Sequence, residues 1–266
     1  MRTLLFCTCY INSEKHLERY TKWFDFYYPL QSKLNFTDIV FIDDASEPIW
    51  LLKLYEYIKH KYDLECLGFN APIETEISPI SIYTFREHFG RQNLSQFAGW
   101  WRSFAFGIVL AHINKYDRVL FIESDTYLLS KRIVNYIAKL KNGLNCFFTK
   151  FWEVPETNIL IIGKEMFMCL ITKYWNTNRN FWFKNNETDR SYIPELCLPF
   201  TNIITKYKGD RYGEDFFKTI PTKMDFICNI NSTSMNGVGL KNLENKIEQI
   251  NKMINKSKIL LQGENE

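Results

Sequence analysis

The sequence predicts an α/β protein in which helices flank a mixed, mostly parallel sheet and a further helix extends from the C-terminal end. Short apolar segments alternate with helix-like segments over the first 130 residues, as in consecutive βαβ units. Several of these apolar segments are almost continuously hydrophobic, which is typical of strands covered on both faces. The chain has 266 residues, 46% of them hydrophobic, so it is long enough to bury a full core without disulfides.

The first half of the chain shows the alternation most clearly. A strand over residues 3–10 is followed by a helix that Asn12 or Ser13 can cap and that Pro29 limits. Residues 68–90 contain Pro72 and Pro79 without a regular period, which predicts a long loop. The remaining elements predicted here are strands at 38–42, 64–67 and 118–122 and helices at 50–61 and 93–112.

The second half is predicted to add two strands and three helices. A helix is predicted over 131–140, with Gly143 as the candidate C-cap. Residues 176–210 are predicted to be irregular and polar. The other predicted elements are strands at 145–150 and 159–162 and helices at 165–175 and 240–261. Because the chain has no internal repeat and no Gly/Ser linker, we expect a single domain up to residue 239, followed by an amphipathic helix over 240–266.

Composition excludes several protein classes. Thirty-three Lys and Arg against 30 Asp and Glu give a net charge of +3, which is too balanced for a dedicated nucleic-acid binder. The seven cysteines include no Cys-x-x-Cys pair, so they are interpreted as reduced core thiols. No segment approaches the ~18 apolar residues of a membrane span, and the sequence predicts a soluble, cytoplasmic protein.

Three acidic clusters are the candidates for chemistry. Asp43-Asp44 and Glu123-Ser124-Asp125 directly follow predicted strands, where open parallel sheets bind ligands, and Glu214-Asp215 follows a loop. Side chains two residues apart in an extended segment point the same way, so Glu123 and Asp125 can face one ligand. Two carboxylates in an open cleft suit Mg²⁺ or Mn²⁺, with phosphate oxygens completing the coordination.

These clusters and the strands before them resemble the GT-A glycosyltransferases. Residues 119–125, Val-Leu-Phe-Ile-Glu-Ser-Asp, are similar to the Asp-x-Asp region of that family, with Glu123 in place of the first Asp. Residues 39–46 are similar to its second strand and the Asp-Asp-x-Ser ending that holds the nucleoside. Gly213-Glu214-Asp215 resembles the motif that supplies the catalytic base in inverting members. The motifs occur in the family's order and cover about residues 3–220.

The resemblance implies a GT-A Rossmann-like fold and transfer of a sugar from a nucleotide-diphosphate donor to a glycan acceptor, metal-assisted and inverting. The family-level expectation is a bacterial surface glycan such as lipopolysaccharide. Residues 1–130 would form the nucleotide-binding half and 131–239 the acceptor-side half. Asp215 is preferred over Glu214 as catalytic base, and Asp125 is preferred over Glu123 as direct ligand of Mn²⁺ or Mg²⁺. The residues expected to bind the donor are Thr8, Tyr10, Asp43, Asp44, Arg102, Glu123 and Ser124.

The sequence departs from the family pattern in its metal ligands, and it leaves some residue assignments open. All four histidines lie in the first half, so no late His ligand is present. This leaves either a shell of Asp125, diphosphate and water or a weak metal requirement. Arg102 is interpreted either as a phosphate ligand or as a solvent-facing helical residue, with Arg86 and Arg91 as alternative phosphate ligands. Trp100 and Trp101 are interpreted as core residues rather than sugar platforms.

Two other functions stay open from the sequence. A nucleotidyltransferase uses a similar sheet, but it would usually carry a Gly-rich loop after the first strand, and residues 9–13 contain no glycine. A non-catalytic nucleotide-binding or single-stranded nucleic-acid-binding protein is disfavoured by the near-neutral charge. The predicted partners are a nucleotide sugar and a glycan or lipid-linked glycan, and no nucleic acid.

The C-terminal helix is predicted to serve packing or homodimer formation and to carry no catalytic residue. Its apolar residues recur at helical spacing over 240–261, with Ser257 breaking the seam. Its lysines allow at most a peripheral membrane association, at the cytoplasmic face of an inner membrane.

Overall fold

The computed structural model describes residues 1–64, 67–70, 79–91, 97–150, 153–176, 193–211, 223–228 and 240–263, with backbone alone for 67–70, 210 and 240–247. It contains strands and helices in the predicted alternation. The strands are β1 (Thr3–Cys9), β2 (Asp38–Asp43), β3 (Leu67–Asn70), β4 (Ile80–Thr84), β5 (Arg118–Ile122), β6 (Tyr127–Leu128), β7 (Leu144–Thr149), β8 (Val154–Gly163), β9 (Asn202–Ile204), β10 (Gly209–Arg211) and β11 (Phe226–Cys228).

The helices in these ranges lie between the strands and at the C-terminal end. Ser13 caps the first of them by accepting from His16 N, as the sequence predicts. They are α1 (Glu14–Tyr27), α2 (Gln31–Leu34), α3 (Pro48–Tyr62), α4 (Ala98–Ile113), α5 (Lys131–Lys139), α6 (Phe167–Tyr174), α7 (Pro194–Cys197) and α8 (Leu240–Gln262), with 3₁₀ turns at Tyr28–Leu30 and Lys164–Met166.

An eight-stranded mixed sheet forms the centre of the protein. Its order is β3-β4-β2-β1-β5-β8-β7-β9, and the first five of these strands are mutually parallel. β8 runs antiparallel to both β5 and β7, and β9 pairs parallel with β7. This mixed, mostly parallel sheet flanked by helices, with a helix at the C-terminal end, confirms the predicted fold class.

Both faces of the sheet are covered, which explains the continuous apolar segments of its strands. Leu5 and Cys7 of β1 belong to one core cluster, together with residues of α1, α3, α5 and α8. Leu4 and Phe6 of the same strand belong to the other cluster, together with residues of α4 and α6. Alternate residues of one strand therefore enter opposite cores, as the pleat requires.

The segment predicted as a long loop contains two strands instead. β3 lies three residues later than predicted. β4 was not predicted, although the sequence Ile-Ser-Ile-Tyr-Thr of Ile80–Thr84 is rich in β-branched and aromatic residues. Pro79 led to the loop assignment, but it precedes the strand, where its missing N–H costs no ladder bond, and its carbonyl accepts from Ile39 N at 2.8 Å. The helix over 131–140 ends at Lys139, so Gly143 is not its C-cap.

α8 packs on the same domain through the predicted stripe. Ile250, Ile254 and Leu261 are buried, and Ser257 donates from its buried hydroxyl to the Leu129 carbonyl at 3.1 Å. Ser257 therefore does not interrupt the packed face of α8, because its hydroxyl is buried and hydrogen-bonded there. Homodimer formation through this helix stays a prediction.

A fully buried arginine ties the ends of two helices to the sheet. The Arg118 guanidinium at the start of β5 donates to carbonyls near the ends of α2 and α5, and it lies 0% exposed. Burial lowers the pKa of Arg118 to about 10, so it stays charged at neutral pH. Its acceptors are the carbonyls of Leu34 at 2.9 Å, Asn35 at 3.3 Å, Ile137 at 2.8 Å, Ala138 at 3.4 Å and Leu140 at 2.7 Å and the hydroxyl of Thr3 at 3.2 Å.

The six cysteines that the structure describes are free thiols, four of them buried, as predicted. Within the described ranges, no helix is both long and apolar enough to cross a bilayer.

Candidate functional site

The carboxyl ends of three neighbouring parallel strands bring two of the acidic clusters together. β1 lies between β2 and β5, and its register pairs Cys9 with Asp43 and Phe6 with Phe121. The segments that follow β2 and β5 therefore leave the sheet on either side of the end of β1. This is the edge at which open α/β sheets bind their ligands.

Glu123 is held by two side chains from neighbouring elements. The Thr8 hydroxyl donates to its two carboxylate oxygens at 2.8 and 2.9 Å, and the Trp100 indole N–H donates to Oε1. Burial, together with the charge of Asp125, raises the pKa of Glu123 to about 7. Trp100 also stacks on Phe104, with centroids 5.0 Å apart, so its ring packs as predicted while its N–H serves the site.

The Asp125 carboxylate has no side-chain partner among the described residues. It is half-buried, and the hydrogen bond that it accepts comes from its own backbone N–H. Burial raises the pKa of Asp125, and the positive charge of Arg19 opposes that shift. Ser124, between the two acids, is buried. Of the acidic residues predicted for the site and described here, Asp125 is therefore the one best placed to bind an added ligand.

Arg19 is a charged residue near this edge of the sheet that the sequence did not reveal. Its Nη2 donates to the Tyr20 hydroxyl at 3.0 Å, while its buried Nε has no partner in the described structure. Burial alone would lower the pKa of Arg19, but Tyr20 and Asp125 outweigh this and raise it. The available signal was its position in the second turn of a helix that begins at the ligand-binding edge of the sheet.

Asp43 is committed to the turn after β2. It is 0% exposed, and its carboxylate accepts from Ser46 N at 2.8 Å, Ser46 Oγ at 2.5 Å and Thr84 Oγ1 at 2.7 Å. Burial raises its pKa, and these hydrogen bonds oppose the shift. Ser46 Oγ in turn accepts from Ile11 N at 2.7 Å, so the turn is fastened to the segment after β1.

Asp44 and Arg102 form a buried ion pair beneath the segment 85–91. The Asp44 carboxylate accepts from Arg102 Nη2, from Phe89 N at 3.1 Å and from Gly90 N at 2.7 Å. The guanidinium lies between the rings of Phe85 and Phe89, 3.9 and 3.7 Å from their centroids. Arg102 is only 6% exposed, so the solvent-facing interpretation is wrong. Its role toward phosphate stays a prediction.

Tyr10 and His88 form an aromatic surface above this pair. Their rings stack with centroids 3.9 Å apart at an interplanar angle of 18°, and His88 Nδ1 lies 2.9 Å from Asp44 Oδ2. The His88 side chain is 42% exposed, and Tyr10 is half-buried. The stack therefore offers a partly open aromatic face beside the end of β1.

Gly99 must lack a side chain for this arrangement to form. A Cβ at Gly99 would collide with the Asp44 carboxylate and would lie 2.8 Å from the backbone nitrogen of Gly90. Gly90 has φ +57°, and its carbonyl accepts from Gly99 N at 2.9 Å. The first turn of α4 thus approaches the 85–91 segment so closely that only glycine fits.

We expect Gly99→Ala to lower the free energy of unfolding by about 1–3 kcal/mol, because overpacking must displace Asp44 or the backbone at Gly90. Urea denaturation measures this loss. Gly107→Ala is the matched control, since on the same helix its Cβ would collide with the Phe6 ring, away from Asp44. If Asp44 shapes the ligand site, Gly99→Ala alone should also weaken ligand binding per folded molecule. Equal binding by the two variants would contradict that role.

Glu214 and Asp215 lie outside the described residues, but the strand just before them is described. β10 ends at Arg211 and pairs with β11, which pairs with β6, two residues after Asp125. Arg211 Nε donates to the fully buried Glu156 at 2.8 Å, and its Nη2 binds Glu195.

The donor set fits a divalent cation held mainly by substrate. Among the residues that the structure describes, no three His, Cys, Asp or Glu side chains form a ready cage. Asp125 offers a free oxygen ligand, whereas Glu123 is already engaged by Thr8 and Trp100. One carboxylate with substrate phosphates and water is a usual environment for Mg²⁺, so the residues present fit such an ion.

Comparisons with known proteins give low structural similarity. No protein-family model matches the chain, and no curated protein matches it. A glycosyltransferase involved in glycosylation of the major capsid of PBCV-1 is 12% identical, with 93% of this chain and 98% of that chain covered at a TM-score of 0.47.

Two other solved structures match less well. A mannosyltransferase from Pyrobaculum calidifontis, in complex with GDP-Man and Mn²⁺, is 11% identical, with 64% of this chain and 46% of that chain covered at a TM-score of 0.42. The bifunctional glycosyltransferase WbbM is 12% identical, with 86% of this chain and 45% of that chain covered at a TM-score of 0.42. Because every one of these TM-scores is below 0.5, function has to be inferred from this chain's own residues.

Proposed function

We propose that the chain is a nucleotide-sugar-dependent glycosyltransferase of the GT-A type, metal-assisted and inverting. The observation that carries this proposal is the carboxylate of Asp125, which has no side-chain partner among the described residues, lies just after the carboxyl end of β5 and is within electrostatic range of the cationic Arg19. An acidic ligand with a guanidinium in its surroundings suits a metal-bound diphosphate, whose oxygens need both kinds of partner.

The other residues of the edge are assigned to the donor in this proposal. Tyr10 and His88 present an aromatic face on which a nucleobase can stack. Asp43 and Asp44 shape the nucleoside side by fixing the turn after β2 and the segment 85–91, since their oxygens are used within the protein. Thr8 and Trp100 hold the carboxylate of Glu123, so Asp125 is the direct metal ligand and Glu123 has a supporting role.

Charge development on the leaving diphosphate is the step that these residues assist. A divalent cation bound at Asp125 would act as a Lewis acid on the phosphate oxygens. Arg19 adds a fixed positive charge that needs no reorganisation during the reaction. Because Arg19 is partly desolvated, its attraction for a phosphate oxygen is stronger than that of a solvated arginine.

Inversion requires a base at the acceptor hydroxyl, and we assign it to Asp215, with Glu214 as the alternative. The ion pairs of Arg211 with Glu156 and Glu195 anchor the strand that leads into this motif. We expect Asp215→Asn to lower turnover by about 10²–10⁴-fold with little change in donor binding. Glu214→Gln is the matched variant, and if it is the inactive one the role shifts by one residue. A product that retains the donor's anomeric configuration would contradict the inverting assignment.

Binding of the leaving group tests the proposal directly. Thermal unfolding is followed with UDP, GDP or CDP, each with and without Mn²⁺, and then with a panel of nucleotide sugars. A ligand at 100 times its Kd should stabilise the protein by about 2.7 kcal/mol. Stabilisation by a nucleoside diphosphate only when Mn²⁺ is present supports the proposal. Release of pyrophosphate from a nucleoside triphosphate and a sugar phosphate would identify a nucleotidyltransferase instead.

The remaining assignments complete this proposal. The acceptor is a glycan or lipid-linked glycan of a surface-glycan pathway such as lipopolysaccharide, and the enzyme acts in the cytoplasm or at the cytoplasmic face of the inner membrane. Residues 1–130 bind the nucleotide, and 131–239 contribute to the acceptor side.

A further inference from the structure

A cavity of about 320 Å³ lies between α1 and α8, on the side of the sheet that α1 covers. Its volume falls in the range of small-ligand sites, about 300–1,000 Å³. The almost fully buried Phe26 and Tyr127 form its inner boundary. The polar side chains used in the following argument are Lys15, Arg19 and Lys22 from α1 and Asn251, Asn255 and Lys258 from α8.

The lining has an excess of positive charge that the protein leaves uncompensated. Its two acidic residues are already paired, because Glu18 binds Lys22 at 2.7 Å and Asp25 binds Lys61 at 2.5 Å. Asp25 also accepts from two tyrosine hydroxyls at 2.8 Å. Lys15, Arg19 and Lys258, by contrast, have no acidic side chain within 4 Å in the parts of the chain that the structure describes.

Arg19 has a hydrogen-bond donor that an anion in the cavity could satisfy. Its Nε is buried without a hydrogen-bond partner in the described structure, and an unpaired buried donor destabilises the folded protein unless a ligand satisfies it. A phosphate or carboxylate oxygen in the cavity could accept from this guanidinium. The three cations lie on both helices, so an anionic group between them would also join α1 to α8.

The rest of the lining suits a sugar. Asn251 and Asn255 carry amides that can both donate to and accept from hydroxyl groups. Phe26 and Tyr127, 1% and 3% exposed, close the inner side of the cavity without offering a ring face for stacking. Amides beside uncompensated cations favour a hydroxyl-bearing anion over a purely apolar ligand.

Two residues connect the cavity to the candidate active site. Arg19 lines the cavity and also acts electrostatically on Asp125. Tyr127, two residues after Asp125 in the chain, lines it as well. A ligand in the cavity would therefore lie next to the metal and diphosphate side of the proposed site.

We propose that this cavity receives the acceptor and that the acceptor is a saccharide carrying a phosphate or carboxylate group. The inference rests on the proposed glycosyl transfer. It assigns acceptor selection to α1 and α8, in addition to the 131–239 half.

Calorimetric titration with three hexoses tests the cavity directly. Glucose 6-phosphate and glucuronate are the anionic probes, and glucose is the neutral one. We expect the anionic sugars to bind at least tenfold more tightly than glucose, and their ranking distinguishes a phosphate ester from a carboxylate. Equal binding of all three, or no binding of either anionic sugar, would overturn the proposal.

A charge reversal on α8 locates the site. Lys258→Glu should weaken binding of the preferred anionic sugar at least tenfold, and Lys258→Gln should weaken it less. Lys256→Glu is the matched control, because Lys256 lies on the same helix, is exposed and does not line the cavity. Equal affinities of Lys258→Glu and Lys256→Glu, with both folded by circular dichroism, would place the anion elsewhere.

Nucleotide binding separates this inference from the proposed function. The Lys258→Glu variant should keep its Mn²⁺-dependent affinity for a nucleoside diphosphate. If the protein binds the diphosphate but no anionic sugar, the acceptor inference fails and the proposed function stands. If it binds anionic sugars at Lys258 but no nucleotide, the glycosyl transfer itself fails, and with it the acceptor role of the cavity.

Discussion

Asp125→Asn is expected to abolish sugar transfer while leaving the fold intact. The substitution removes the only free carboxylate among the described acidic residues of the predicted site and keeps the volume of the side chain. Losing a metal ligand should cost about 4 kcal/mol of transition-state stabilisation, or about a thousandfold in rate. The measurement is the release of nucleoside diphosphate from the nucleotide sugar that binds best, at saturating Mn²⁺.

Two further variants make this result interpretable. Glu123→Gln should reduce the rate less than Asp125→Asn, because Glu123 is held by Thr8 and Trp100. Asp63→Asn controls for removal of a charge, since Asp63 is exposed and its left-handed backbone, with φ 49°, tolerates asparagine. Equal losses at positions 123 and 125 would make both carboxylates ligands. Retention of most activity by Asp125→Asn would refute the metal assignment.

Arg118→Met is expected to lower the free energy of unfolding by about 3–5 kcal/mol. The guanidinium is fully buried and donates to carbonyls near the ends of α2 and α5. Removing it leaves several buried carbonyls without a donor, and each such group carries a desolvation cost. The midpoint of urea denaturation, analysed with an unchanged m-value, measures the loss.

Arg2→Met is the matched control for Arg118. Arg2 also donates to a helix-end carbonyl, that of Asn114 at 2.9 Å, but its side chain is 51% exposed. Its loss should cost less than about 1 kcal/mol, since water replaces the missing donor. Arg118→Lys should fall between the two, because one ammonium cannot reach all of the carbonyls that the planar guanidinium serves. Similar losses for Arg2→Met and Arg118→Met would show that burial does not set the cost.

The parallel centre of the fold could be predicted because its signal is local. β1, β2 and β5 are nearly continuous apolar segments, and a strand covered on both faces requires that pattern. β4 was missed since Pro79 was taken as a loop signal, and nothing local shows that Ile80–Thr84 adds to β2. The role of Arg118 was not predictable, because its acceptors are backbone carbonyls about 20 and 84 positions away.

The candidate site was likewise predictable only in part. The acidic clusters after β2 and β5 were identified from the sequence because parallel strands end at one edge of the sheet. Their partners were not identified. Arg102 pairs with Asp44 across 58 positions, and Trp100 binds Glu123 across 23. Arg19 acts electrostatically on Asp125 across 106 positions of the sequence, since α1 and the sheet share one core. Sequence spacing carries no record of such tertiary contacts.

The docking of α8 has a consequence for the motions of the protein. The helix is held by contacts of long sequence separation, since Ser257 binds Leu129 and Gln262 binds the carbonyls of Asp25 and Phe26. It adds no strand to the sheet, so we expect α8 to unfold locally at a lower free energy than the central sheet. Amide hydrogen exchange should therefore be faster along 248–262 than in β1 or β5, and a ligand bridging α1 and α8 should slow it selectively. Entry to the cavity would then be controlled by local unfolding of the helix that forms one of its walls.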